Sequence, residues 1–337
     1  MKDNKRVVYW LLTGCALIFI MVVVGGITRL THSGLSISNY KLISGTLPPM
    51  NEVQWQEALD LYKQYPEYQK INKGFSLQEF KDIYFWEWLH RFIGRFIGIV
   101  FIVPFLYFLL KKQLTKSTIK KSILLLALGG FQGFLGWYMV KSGLVDRPDV
   151  SHYRLALHLT TAFITFSFAL WIALDIKFPQ KKDVEKSLRT TIRWAFALLI
   201  LQIIWGAFVA GLDAGFIHNT WPLMNDGKLI HETVTIEQSP IWKNFIEGKS
   251  GVQFVHRYLA YIVVGIILFI WYKAKKLPLS PLQSKSISIL LFFVLLQFIL
   301  GVFTLIFQVP VVLGVIHQVV AFFLLAAMTI TLHRFSK

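Results

Sequence analysis

Four histidines occupy equivalent places in the two halves of the chain, each inside or beside a long apolar run. "WLHRFIGRFIGIVF" at 88–101 aligns with "FVHRYLAYIVVGII" at 254–267, which sets His90 on His256 and Arg91 on Arg257. "LALHLTTAF" at 155–163 aligns with "GVIHQVVAF" at 314–322, which sets His158 on His317; between them "FQGFLG" at 131–136 aligns with "LQFILG" at 296–301. Ionisable groups in membrane-crossing segments are costly, so a repeated pair needs a reason. Two neutral imidazoles facing each other across an apolar helix bundle suit the two axial positions of a haem iron. Zinc fits less well: it takes three or four clustered ligands, often thiolates, and the only cysteine is Cys15, inside the first apolar run. The plainer alternative for each ring is a helix–helix hydrogen bond or an interfacial anchor. His32, His152, His218, His231 and His333 read as solvated or interfacial groups.

The first of these histidines has charged neighbours. "FWEWLHRFIGRFIG" at 85–98 holds Glu87, His90, Arg91 and Arg95 within three helical turns. Guanidinium forks match carboxylates such as haem propionates, and they could equally meet lipid phosphates. Glu87 precedes His90 by three residues, so one continuous helix puts both on one face. The second half has Gln253 at that place. An acid in one half only points to chemistry in the first half and redox relay in the second; the alternative is an ion pair with Arg91 or Arg95.

The elements that must position these residues are transmembrane helices. The 337 residues are 55% hydrophobic and 16% charged, with a mean hydropathy of +0.55, too little charge for a soluble domain. Eight apolar runs, at about 7–28, 91–110, 122–140, 156–174, 194–212, 256–272, 286–307 and 313–332, are each long enough to cross a hydrocarbon core of roughly 30 Å. The first run is long for a signal-peptide core and reads as a retained helix. The expected fold is all-α and integral to the membrane, with eight transmembrane helices in two pseudo-symmetric four-helix bundles, residues 1–175 and 176–337. Four spans per repeat give both copies the same orientation, with a symmetry axis along the membrane normal.

The net charge of +17 is a topology signal rather than a nucleic-acid footprint. "KDNKR", "KKQLTKSTIKK", "KFPQKKDVEKSLRT" and "YKAKKLPLSPLQSK" fall at the N-terminus and after the second, fourth and sixth runs, all on one side. The positive-inside rule makes that side cytoplasmic, with both termini there. The short N-terminus lacks an Arg/Ser-rich transit peptide, which favours a bacterial plasma membrane over the mitochondrial inner membrane. Residues 29–84 and 213–253 are then the large outer segments. The first contains an amphipathic helix, "NEVQWQEALDLYKQY", and a Ser76-x-x-Glu79 capping box that opens another. The second, "GLDAGFIHNTWPLMNDGKLI", reads as an ordered loop with turns. One cysteine permits no internal disulfide, no CxxC redox pair and no CxxCH haem attachment. On these residues alone, a dihaem b-type electron-transfer protein linked to quinol stands beside an enzyme; a transporter explains the repeat but not the matched histidines.

The chain resembles the haem A synthase family, in its mitochondrial and alphaproteobacterial form. The resemblance rests on "GGITRLTHSGLSISNYKLISGTLPPM", "YKQYPEYQKINKGFSLQEFKDIYFWEWLHRFIGRFIG", "GLVDRPDVSHYRLALHL", "VAGLDAGFIHNTWPLMNDGKLI", "VQFVHR" and "LGVFTLIFQVPVVLGVIHQ", which cover both halves and both outer segments. It implies an enzyme that oxidises a methyl group of haem O to the formyl group of haem A for terminal oxidases. His90 and His158 would flank the substrate haem, with Arg91 and Arg95 beside it. His256 and His317 would ligate a haem b cofactor, with Arg257 near its propionates. The family's outer-side glutamate falls on Glu87. The outer-loop cysteine pair of another bacterial subgroup is absent, so no thiol step operates here, and His32 stands where many relatives have Glu. The resemblance leaves open the electron acceptor, the oligomeric state and any complex with the enzyme that makes haem O.

Overall fold

The computed structural model describes residues 5–37, 47–143, 150–179 and 185–336. Residues 38–46 of the "GGITRL" stretch, 144–149 of the "GLVDRPDV" stretch and 180–184 of the basic segment after the fourth run lie outside the described residues. Twelve α-helices follow in chain order: α1 (Lys5–Leu30), α2 (Glu52–Tyr62), α3 (Pro66–Lys70), α4 (Leu77–Leu110), α5 (Lys116–Gly143), α6 (His152–Lys177), α7 (Lys186–Gly211), α8 (Thr233–Ile236), α9 (Asn244–Glu247), α10 (Lys249–Ala274), α11 (Pro281–Ile306) and α12 (Val311–Arg334). Eight of them, α1, α4, α5, α6, α7, α10, α11 and α12, are long and apolar enough to cross a membrane. This is a multi-pass, all-α membrane protein.

The chain forms two compact units, one of Ala16–His158 and the other of Met1–Cys15 with Leu159–Lys337. Within the second unit α7 packs on α10 and α12, and α11 packs on α10 and α12. Phe163 and Phe166 of α6 lie against Phe322 of α12, with ring centroids 5.7 and 4.1 Å apart. Cys15 is buried, as expected of a small packing residue. His333 departs from its expected solvated place. It is buried, and its Nε2 lies 3.1 Å from Asp175 Oδ1. The acid that satisfies it comes from a helix far away in sequence.

The spans start earlier than the apolar runs. Hydropathy places the second crossing at 91–110, yet α4 begins at Leu77 and runs 34 residues, about 51 Å at 1.5 Å per residue. Its start is the expected capping box: Ser76 accepts from the Glu79 backbone and Glu79 reaches back to the Ser76 N–H. From Leu77 to His90 no Gly or Pro interrupts it, so Glu87, His90 and Arg91 sit in the middle of one helix rather than at the mouth of a span.

The first turns of α4 also complete a small core of their own. Tyr62 and Leu59 of α2, where the amphipathic helix was expected, pack with Phe80, and the Tyr62 and Phe80 rings stack at 5.2 Å. Tyr62 is wholly buried; its hydroxyl donates to Glu67 Oε2 at 2.9 Å and accepts from Asn72 Nδ2 at 2.7 Å. Burial, then the Glu67 carboxylate, push this phenol well above its ordinary value. Tyr62→Phe strips buried Glu67 and Asn72 of a partner, so the helix pair α2–α3 should lose about 1–3 kcal/mol. Hydrogen exchange over residues 52–72 should rise accordingly, with the spans unaffected.

Candidate functional site

Each of the four repeated histidines lies against a glycine on a neighbouring helix. A Cβ added at Gly25 of α1 would stand 3.0 Å from His90 Cε1, and one at Gly136 of α5 3.4 Å from His158 Cε1. In the second half, a Cβ at Gly206 of α7 would stand 3.0 Å from His256 Cε1, and one at Gly301 of α11 3.0 Å from His317 Cε1. A side chain at Gly25, Gly206 or Gly301 would crowd the ring by a few tenths of an ångström, whereas a Cβ at Gly136 would only touch it. The glycines therefore let an imidazole edge lie on bare backbone, and they fix which way each ring can turn.

His90 and His158 are close enough to act on each other electrostatically, and so are His256 and His317. All four residues are half-buried. Nδ1 of His90 and of His158 is buried with no hydrogen-bond partner among the described residues, so whatever exposure these residues have lies at other atoms. Among the described residues no group of three or more His, Cys, Asp or Glu side chains converges; the histidines come in twos. Two half-buried imidazoles brought near each other could serve a planar metal complex taking one nitrogen from each side. They do not suit a bare ion that needs a closed polyhedron.

Glu87 is only 3% exposed. Its Oε2 accepts from Ser36 Oγ and from the Ile37 backbone N–H, both at 2.7 Å, and its Oε1 accepts from Arg91 at 2.5 Å. Arg91 also donates to the Ile37 carbonyl at 2.9 Å. The pair thus clips the chain leaving α1 onto α4, one turn from His90. The ion pair with Arg91 was the alternative role for this acid, and it is present; three donors fix the position of the carboxylate. Arg95 lies one turn beyond Arg91 on the same face of α4.

The equivalent residues of α10 do the corresponding work with an amide in place of the carboxylate. Gln253 is 2% exposed and donates to the Ala214 carbonyl at 2.9 Å and to the Ile217 carbonyl. Arg257 donates to the carbonyls of His218, Thr220, Pro222 and Leu223, the shortest at 2.7 Å. Its fork therefore gathers backbone oxygens of the 213–248 connection. That connection is ordered, as expected. Asn244, wholly buried, donates to the carbonyls of Thr235, Gln238 and Ile241 and accepts from the Gln238 N–H. A Cβ at Gly251 would stand 2.2 Å from the Asn244 carbonyl, so only glycine fits there. His218 is not the solvated group its loop position implied: it is buried, 3.0 Å from Ser250 Oγ, with His231 beside it. Burial, then the neighbouring His231, hold its imidazole below the ordinary value.

Sequence reading missed the glutamines that accompany the glycines. Gln132, Gln202 and Gln297 each stand one turn before the glycine and reach the same histidine. The aligned "FQGFLG" and "LQFILG" held that signal, but only the tertiary contacts give it a meaning.

A family model described as cytochrome oxidase assembly protein matches residues 8–329. The haem A synthase of Flavobacterium johnsoniae is 62% identical, over all of this chain and 99% of its own length. That of Flavobacterium psychrophilum is 59% identical over the full length of both. That of Parvibaculum lavamentivorans is 45% identical, over 99% of this chain and 96% of its own. With likeness running unbroken through all eight spans and both long connections, the chain belongs to the family of cytochrome oxidase assembly proteins.

Proposed function

We propose that this protein is a haem A synthase: it oxidises a methyl substituent of haem O to a formyl group, supplying haem A to cytochrome oxidase assembly. The observation that carries the reading is the doubled pair of imidazoles, each laid on a helix-borne glycine, within a chain alike over its whole length to haem A synthases. That likeness favours the synthase over a dihaem b-type electron-transfer protein, which the four histidines alone would also fit.

In this reading α1, α4, α5 and α6 form one four-helix bundle and α7, α10, α11 and α12 the other, with both termini on the cytoplasmic side of a bacterial plasma membrane. His90 and His158 hold substrate haem O; His256 and His317 hold a resident haem b. The first pair fits such a group: the buried Nδ1 atoms of His90 and His158 can carry the ring proton, which would leave Nε2 for an iron. When bound, haem b would supply one-electron redox capacity. Propionates have Arg95 and Arg91 at hand on α4. Arg257 contributes mainly by holding the 213–248 connection in place over the second pair.

Methyl to formyl is a four-electron oxidation, so positive charge develops next to the porphyrin ring as electrons leave. A carboxylate held by three donors, one turn from an iron ligand, is a preorganised group for that charge. Its position does not depend on substrate, because Ser36, Ile37 and Arg91 set it. Proton acceptance by Glu87 would require breaking one of those contacts, so charge stabilisation is the simpler role.

Glu87→Gln keeps an acceptor for Ser36 and Ile37 but removes the charge. Haem A output should fall roughly 100-fold, the scale of losing one preorganised electrostatic group. Pigment extracts should then show haem O or a hydroxylated intermediate, with the haem b spectrum retained; normal haem A output would remove Glu87 from the chemistry. The division between halves is tested separately. His256→Ala or His317→Ala should abolish the low-spin haem spectrum of the purified protein, whereas His90→Ala should leave most of it. Equal losses in all three variants would overturn the assignment of substrate and cofactor sites.

A further inference from the structure

The connection between α7 and α10 encloses a cavity of about 500 Å³, the size of a small-ligand site. Phe216, Ile217, His218 and Asn219 line one part of it, and Glu237 and Lys249 another. Hydrogen bonds fix its polar wall. Ser250, 2% exposed, accepts from Thr233 Oγ1 at 2.9 Å, and its own hydroxyl donates to Glu237. The Ser250 N–H points to the same carboxylate at 3.3 Å. His218 Nε2 lies 3.0 Å from Ser250 Oγ and 3.2 Å from Thr233 Oγ1.

The lining carries one charge of each sign. Lys249 is exposed, and its ammonium has no hydrogen-bond or ion-pair partner among the described residues. Glu237 is exposed as well, and Ser250 is its only donor among the described residues, so a carboxylate with about four acceptor sites keeps some of them open. His218 adds no charge at neutral pH, because burial keeps its imidazole in the neutral form. A ligand with a net negative charge would satisfy Lys249 but set its charge against Glu237. A zwitterion satisfies both.

Height in the bilayer selects among zwitterions. The apolar run of α10 begins at 256, and Ser250 precedes it on the same helix by six residues, about 9 Å of rise and less along the normal of a tilted span. The headgroup layer is roughly 5–8 Å deep on each side of the hydrocarbon core. Apolar side chains accompany the charges: Phe216 is 53% exposed, and Ile236, next to Glu237, is 70% exposed. Charged groups interleaved with aromatic and aliphatic ones suit the boundary between headgroups and acyl chains. We propose that this cavity binds the phosphoethanolamine headgroup of a phospholipid, its phosphate on Lys249 and its ammonium on Glu237. A lipid held there ties the connection gripped by Gln253 and Arg257 to the bilayer. No iron ligand takes part, so failure here would leave the synthase reading untouched.

The test uses the full-length protein in detergent, stripped of lipid and titrated with phosphatidylethanolamine or phosphatidylglycerol, with bound lipid counted by native mass spectrometry. One phosphatidylethanolamine should bind per chain about fivefold more tightly than phosphatidylglycerol, the scale of one interfacial ion pair. Glu237→Gln keeps an acceptor for Ser250 and should bring the two lipids to equal affinity. Lys249→Ala alters an exposed side chain without partners among the described residues, and should weaken both lipids about fivefold. Phosphatidylethanolamine should also slow hydrogen exchange over residues 213–248, whereas glycerophosphoethanolamine and inorganic phosphate at the same concentration should not. Equal affinity of the unaltered protein for the two lipids, or unchanged affinity in Lys249→Ala, would overturn the proposal. So would equal protection by either soluble compound, which would make the cavity a site for a free phosphate rather than a lipid.

Discussion

An imidazole inside a membrane-crossing helix can rest on its neighbour's backbone only where that backbone carries no Cβ. Gly25, Gly206 and Gly301 meet this condition for His90, His256 and His317, where a Cβ would come within 3.0 Å of the ring, and Gly136 lies against His158 at ordinary contact distance. The rest of the site follows. One edge of each ring lies on a helix, and the members of each pair are close enough to act on each other electrostatically. Where lipid offers no hydrogen bonds, a polar ring needs such a defined place. The four glycines supply it by what they lack.

A second device ties the chain preceding each helix to that helix. In each half the helix that bears the first histidine also bears, three residues before and one after it, side chains that grip the preceding connection. Glu87 and Arg91 hold Ser36 and Ile37; Gln253 and Arg257 hold backbone carbonyls between Ala214 and Leu223. The two grips are built with opposite polarity: the carboxylate accepts and the amide donates. Position 87 is therefore structural in both halves, and the negative charge is what only the first half adds to it.

Much of this was legible in the sequence, and the exceptions have physical causes. Apolar runs revealed the eight spans because lipid demands continuous apolar surface. The Ser76 capping box marked where α4 begins, and the helix continues from there into the apolar run without a break that hydropathy could register. The internal repeat exposed the histidine pairs, since it preserves residue type and spacing. His333 and His218 were misread because their partners, Asp175 and Ser250, are distant in sequence. The glutamines lay within aligned motifs, yet a polar residue in an apolar run does not announce which helix it reaches.

The unbroken course of α4 has one more implication. Phe80 and His90 belong to the same rigid rod, with neither Gly nor Pro between them, and Phe80 is locked into the aromatic cluster around Tyr62. A lever of this kind has no joint at the membrane surface. The aromatic cluster and the His90 ring, about three helical turns apart, are therefore carried by one helix, and a push on the cluster is felt at His90.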